Sequence, residues 1–175
     1  MDAALLIARL IVGLGLAAHG MQKLAGWFGG HGLKGTAGFF ETFGFRPGVL
    51  FALAAGFGEL GGGLLTAAGL LGPIGPGLII TVMVVAIAGV NRPNGFFAQT
   101  NGYEPALMYA VVGLVLAIAG PGAYSLDTLL GFTVLSGPHL RRIITGYAVA
   151  VGLGNVAVRR PNRQRQQQDS AVTST

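Results

Sequence analysis

The sequence contains no cysteine. A thiol–disulfide relay, a thiolate metal site and an iron–sulfur cluster on this chain are therefore excluded, while the redox compartment stays open. Charge is also scarce. Only 10% of the 175 residues are charged, against roughly 25% in a soluble domain. No HExxH, Walker A, GxSxG or GxGxxG pattern stands in the context that would give it meaning. A self-contained soluble active site is not expected. Of the three histidines, only His19 lies inside an apolar segment, so a haem held by two facing imidazoles is excluded. No metal site is expected.

What is present is apolar. Hydrophobic residues make up 52% of the chain, and the mean hydropathy is +0.65. Together with the charge deficit this places the protein in the membrane class. The 31 glycines fit membrane helices, where small residues let backbones approach closely. The formal charge of +5 is concentrated at the C-terminus, where Arg159, Arg160, Arg163 and Arg165 face one acid, Asp169. A basic tail beside an apolar segment reads as a cytoplasmic anchor near anionic lipid. It has no aromatic residues, so nucleic acid is not an expected partner.

Four apolar segments run Ala3–Leu24, Val49–Leu71, Ile74–Val90 and Ala106–Ala119, each near the roughly 20 residues a bilayer needs. Asp2 in place of a basic start argues against a cleaved signal peptide. A fifth stretch, Ile143–Val158, is 16 residues long between two arginine pairs. The expected fold is an all-α integral membrane protein: a four-helix transmembrane bundle of two hairpins (residues 1–130), a linker with a fifth C-terminal helix (131–158), and a basic disordered tail (159–175). The count of positive charges on each side favours five spans with the N-terminus outside and the tail in the cytoplasm. The loops of the two hairpins end in similar runs, GFFETFGFRP (38–47) and GFFAQTNGYEP (95–105). Each combines an aromatic pair, a glycine for a tight turn and a proline where a helix restarts. The recurrence suggests one loop design used twice on one side of the membrane.

Glu59 lies near the middle of its segment, where an ionised carboxylate costs several kcal/mol unless paired or neutral. Its helical neighbours Ala52, Ala55, Gly56, Gly62, Gly63 and Thr66 are all small, so it sits on a stripe that should pack against another helix. His19 and Lys23 are spaced i, i+4 and share a face. By helix rise, His19 is about 8 Å and Glu59 about 16 Å from the same end of the bundle. His19 and Glu59 are thus candidates for a polar quinone or proton site, with Lys23 beside them. The bland alternative is a buried pair that fixes register, with Lys23 and Arg9 snorkelling. Lys34, Arg92, Glu104 and Asp127 are candidates for a loop face. Glu104 also suits a helix N-terminus by dipole, and Asp127 with Ser125 suits a turn or cap.

The runs HGMQKLAGWFGGHGLKGTAGFFETFG, FGELGGGLLTAAGLL, NGFFAQTNGYE and GPGAYSLD resemble the DoxX family of small bacterial membrane proteins over about residues 4–130. His19-Gly20, Lys23, Glu59, Gly62-Gly63, Glu104 and Ser125-Leu126-Asp127 fall on the recurring positions of that pattern. The chain after Gly131 does not. The resemblance implies a four-helix bundle in the bacterial plasma membrane, and a role like the membrane subunit of a thiosulfate:quinone oxidoreductase or the membrane partner of a soluble redox or sulfur-transfer enzyme. The expected function is therefore a membrane subunit of an oxidoreductase complex, linked to quinone or to sulfur, thiol and oxidant defence. A solute or proton carrier and a non-catalytic scaffold are the alternatives; neither fold nor family decides among them.

Overall fold

The structure, a computed structural model, describes residues 1–132, 135 and 137–159. The expected tail beyond Arg159 lies outside the described residues. Seven α-helices and no strand occur among those described: α1 (Asp2–Leu24), α2 (Gly32–Thr42), α3 (Gly48–Ala68), α4 (Ile74–Val85), α5 (Glu104–Ala119), α6 (Leu126–Leu130) and α7 (Pro138–Ala157). A π-helical turn, Ala86–Asn91, prolongs α4. By length and apolarity α1, α3 and the stretch Ile74–Asn94 can each cross a bilayer, and α5 is a shorter apolar helix. The protein is an all-α membrane protein.

The four long apolar helices form the expected bundle. α1 packs chiefly on α3, α3 on α4, and α4 on both α5 and α7. Large side chains point outward, among them Ile11, Phe57, Met108, Val115 and Tyr147, each more than half exposed. Such a surface is unfavourable in water and natural against lipid tails. The interior is drawn together by glycine. A Cβ at Gly63 would stand 2.4 Å from Gly13 O, and one at Gly20 would stand 2.5 Å from Leu60 N. The α1 and α3 backbones therefore touch. Gly58 and Gly62 face α4 instead, where an added Cβ would meet Val82 and Leu78. The small stripe around Glu59 is thus split between two helix–helix contacts.

The two similar loop runs differ in conformation. Gly38–Thr42 is the last part of α2, whereas residues 95–103 form an irregular loop with a single 3-10 turn at Ala98–Thr100. The first connection is long enough to hold an amphipathic helix, whose Ala37 and Phe40 bury against Phe45, Ala52 and Ala55. The second contains Pro93 and two Asn-Gly pairs, which break a helix. In it Asn101 takes the left-handed conformation (φ 57°). Gly102 is needed for close approach, since a Cβ there would stand 2.4 Å from Gly95 O.

The fifth helix is longer than its apolar stretch. Pro138 opens it, as proline favours the first turn, and Arg141 is carried inside it, its Nη1 donating to Ile118 O at 2.9 Å. At the far end Arg159 Nη1 donates to Gly89 O at 3.0 Å. α7 thus runs the length of α4 and ends on the side of the two long loops.

Candidate functional site

The site is built where α1, α3, α4 and α7 meet near the long-loop end. Glu59 is buried, and Lys23 Nζ donates to its Oε2 at 2.5 Å. Helix geometry selects Lys23 over His19. The α1–α3 contact line runs through Gly20. His19, one residue away, is turned about 100° from it, and Lys23, three residues on, about 60°. The flexible lysine stem then reaches back to the carboxylate. His19 is exposed. Its Nδ1 lies 2.8 Å from Gln22 Oε1, and its ring meets Tyr109 edge-on with centroids 6.2 Å apart. No hydrogen bond joins His19 to Glu59 among the described residues.

A cavity of about 260 Å³ lies against the pair. Its walls are mostly apolar, from Phe39 and Phe40 of α2, α3 and the end of α4. Its polar groups come in two sets: Lys23 and Glu59 on α1 and α3, and Thr81, Asn91 and Asn155 on α4, its π turn and α7. The π turn helps to form the wall, as Ala86, Val90 and Asn91 all line it; such turns recur at functional sites. A second cavity, about 360 Å³, opens at the loop end beside Gln22, His31 and Thr36, and Lys23 lines both. The ammonium therefore stands between a polar loop-end space and an apolar intramembrane one.

The other candidates are dispersed. Lys34 and Arg92 are exposed at the long-loop end. Glu104 Oε2 accepts from Ala98 N at 2.9 Å and so holds the second loop. Asp127 does not belong to the loop face. It is buried at the opposite end, where Oδ1 accepts from Leu71 N at 2.9 Å and Oδ2 from Gly72 N at 2.6 Å. It pins the α3–α4 turn, while Ser125 caps α6 by accepting from Thr128 N. Arg9 is buried in the same assembly, not snorkelled out; its guanidinium donates to Pro121 O and Tyr124 O. The segment 120–127 folds over α1 and supplies carbonyls where water would otherwise be needed. Asp127→Ala should lower stability in detergent by about 3–6 kcal/mol, since it removes two bonds to a charged acceptor, worth about 1.5–3 kcal/mol each. A thermal melt checks this; an unchanged midpoint would mean that the two amides find other acceptors.

The family model for DoxX matches residues 4–92, just over half of the chain. The chain belongs to the DoxX family. No curated protein and no solved structure matches it. The DoxX match covers α1 to the π turn and so contains His19, Lys23, Lys34, Glu59 and Arg92. Glu104, Asp127 and the whole of α7 lie beyond it. Sequence reasoning missed Asn155, Asn91, Thr81 and Gln22. For Asn155 a signal existed, a lone amide in the apolar run 147–158.

Proposed function

We propose that the chain is the membrane subunit of an oxidoreductase complex that draws on the quinone pool of the bacterial plasma membrane, in the service of sulfur, thiol or oxidant chemistry. The observation that carries the reading is the Lys23–Glu59 pair at 2.5 Å beside an apolar intramembrane cavity. Pockets for whole drug-sized ligands run to about 300–1,000 Å³. A cavity of about 260 Å³ suits a quinone ring, with its tail leaving past the exposed Phe39 and Ala54 at the rim.

Lys23 is placed to donate to a quinone oxygen, and Glu59 to pass protons to it. Quinone becomes quinol by taking two electrons and two protons. The electrons come from the reductant of a soluble partner enzyme of redox or sulfur-transfer type. The protons come from water in the loop-end cavity, by way of Lys23 and Glu59. Lys34, Arg46 and Arg92, all exposed at the long-loop end, suit an acidic partner surface. Their charge favours a cytoplasmic position for that end and for the tail.

Glu59→Gln keeps an oxygen for Lys23 but removes the exchangeable proton. The complex carrying it should assemble normally and reduce quinone at least about tenfold more slowly, in line with the usual worth of general acid–base groups. Full activity in an assembled complex would end the reading. Purification from native membranes in mild detergent should also recover a soluble redox or sulfur-transfer enzyme in stoichiometric amount. Recovery of the chain alone would favour an autonomous carrier.

A further inference from the structure

The cavity at Lys23–Glu59 is completed by α7, a helix outside the family match. Asn155 is the polar residue that α7 contributes to the lining. Its Nδ2 donates to Val151 O of its own helix at 2.9 Å. One N–H and the side-chain oxygen Oδ1 remain without a partner among the described residues. The helix that bears it is fixed. A Cβ at Gly152 would stand 2.8 Å from Val84 Cβ, and Arg159 ties the end of α7 to Gly89 O. Thr81 Oγ1, also in the lining, donates to Ala148 O of α7 at 3.0 Å. The α7 wall is therefore held to α4 at three levels and offers its amide at a set position.

We infer that Asn155 contacts the ligand and determines its specificity, and that the cavity takes a flat apolar ring carrying two opposed oxygens, one met by Lys23–Glu59 and the other by Asn155. The inference rests on the quinone reading above and names the second half of that site. A ligand with two polar ends suits this lining, whose polar groups come from two different helix pairs, Lys23 and Glu59 from α1 and α3, Thr81 and Asn155 from α4 and α7. An amide suits such a position in both redox states. Its N–H donates to the carbonyl of the oxidised ring, and its oxygen accepts from the hydroxyl of the reduced ring, so no change of the protein's own protonation is needed there.

The test is equilibrium binding to the purified full chain in detergent, with two probes: decylubiquinone, and a decyl-substituted cyclohexenone that has a single carbonyl. The unmodified chain should prefer the dione. Asn155→Leu should weaken dione binding about tenfold, the equivalent of one hydrogen bond, and leave the single-carbonyl probe unchanged. Asn155→Ala, which adds no bulk, should lose the same preference, and a thermal melt of each variant shows that α7 is still in place. If the unmodified chain binds the dione and both Asn155 variants bind it equally tightly, the quinone reading stands and this inference is overturned. If the unmodified chain binds neither probe, both fall.

Discussion

Lys23→Met is expected to destabilise the detergent-solubilised protein by about 3–5 kcal/mol, because removing one partner of a buried pair leaves an uncompensated charge. Glu59 is buried, and Lys23 supplies the hydrogen bond its carboxylate receives among the described residues. His19 cannot take over, since it faces Gln22 and Tyr109. The double variant Lys23→Met/Glu59→Met should recover most of the loss, because a buried pair replaced by apolar groups of similar volume is often neutral. Lys23→Met, Glu59→Met and the double variant form with the parent a double-mutant cycle, read by thermal melting or by the size-exclusion profile. A single variant as stable as the parent would show that the pair is not needed for the fold. A double variant no better than the single would show that the loss does not come from an uncompensated charge on Glu59.

The second large effect concerns the α1–α3 contact. Gly63→Ala should cost about 3 kcal/mol or more, the upper range for overpacking, since the new methyl would meet backbone atoms of Gly13 and Ala17, which cannot rotate aside. Gly61→Ala, two residues earlier on the same helix, should do the opposite. Nothing lies within 4 Å of its Cβ, and replacing a mid-helix glycine gains about 0.5–1 kcal/mol. Opposite signs at neighbouring glycines separate a packing contact from a general effect of glycine content. Equal melting midpoints for the two variants would mean that α1 and α3 can move apart at little cost. Because Glu59 lies on this same helix, Gly63→Ala should also weaken whatever the Lys23–Glu59 cavity binds.

Much of the bundle was legible because it is local. Low charge, apolar segments of spanning length and small residues at helical spacing around Glu59 are properties of short windows, and each reappears as a helix, a lipid face or a contact. The loop repeat misled for the same reason. Similar residues at 38–47 and 95–105 carry similar turn chemistry, yet one run has a long connection and an apolar surface to fold against, and so became helix.

The sequence by itself determined that this chain is helical and membrane-embedded, and that Glu59 must face another helix. Those facts follow from the cost of placing charge and unpaired backbone in hydrocarbon, which every residue window feels. Only the tertiary structure decided what meets Glu59, and where Arg9 and Asp127 go. Lys23 lies 36 positions from Glu59, Leu71 56 from Asp127, and Pro121 112 from Arg9. The period of a single helix fixes a direction, not a partner. The partner is set by how close glycine lets two backbones come, and by which distant segment folds over the end of the bundle.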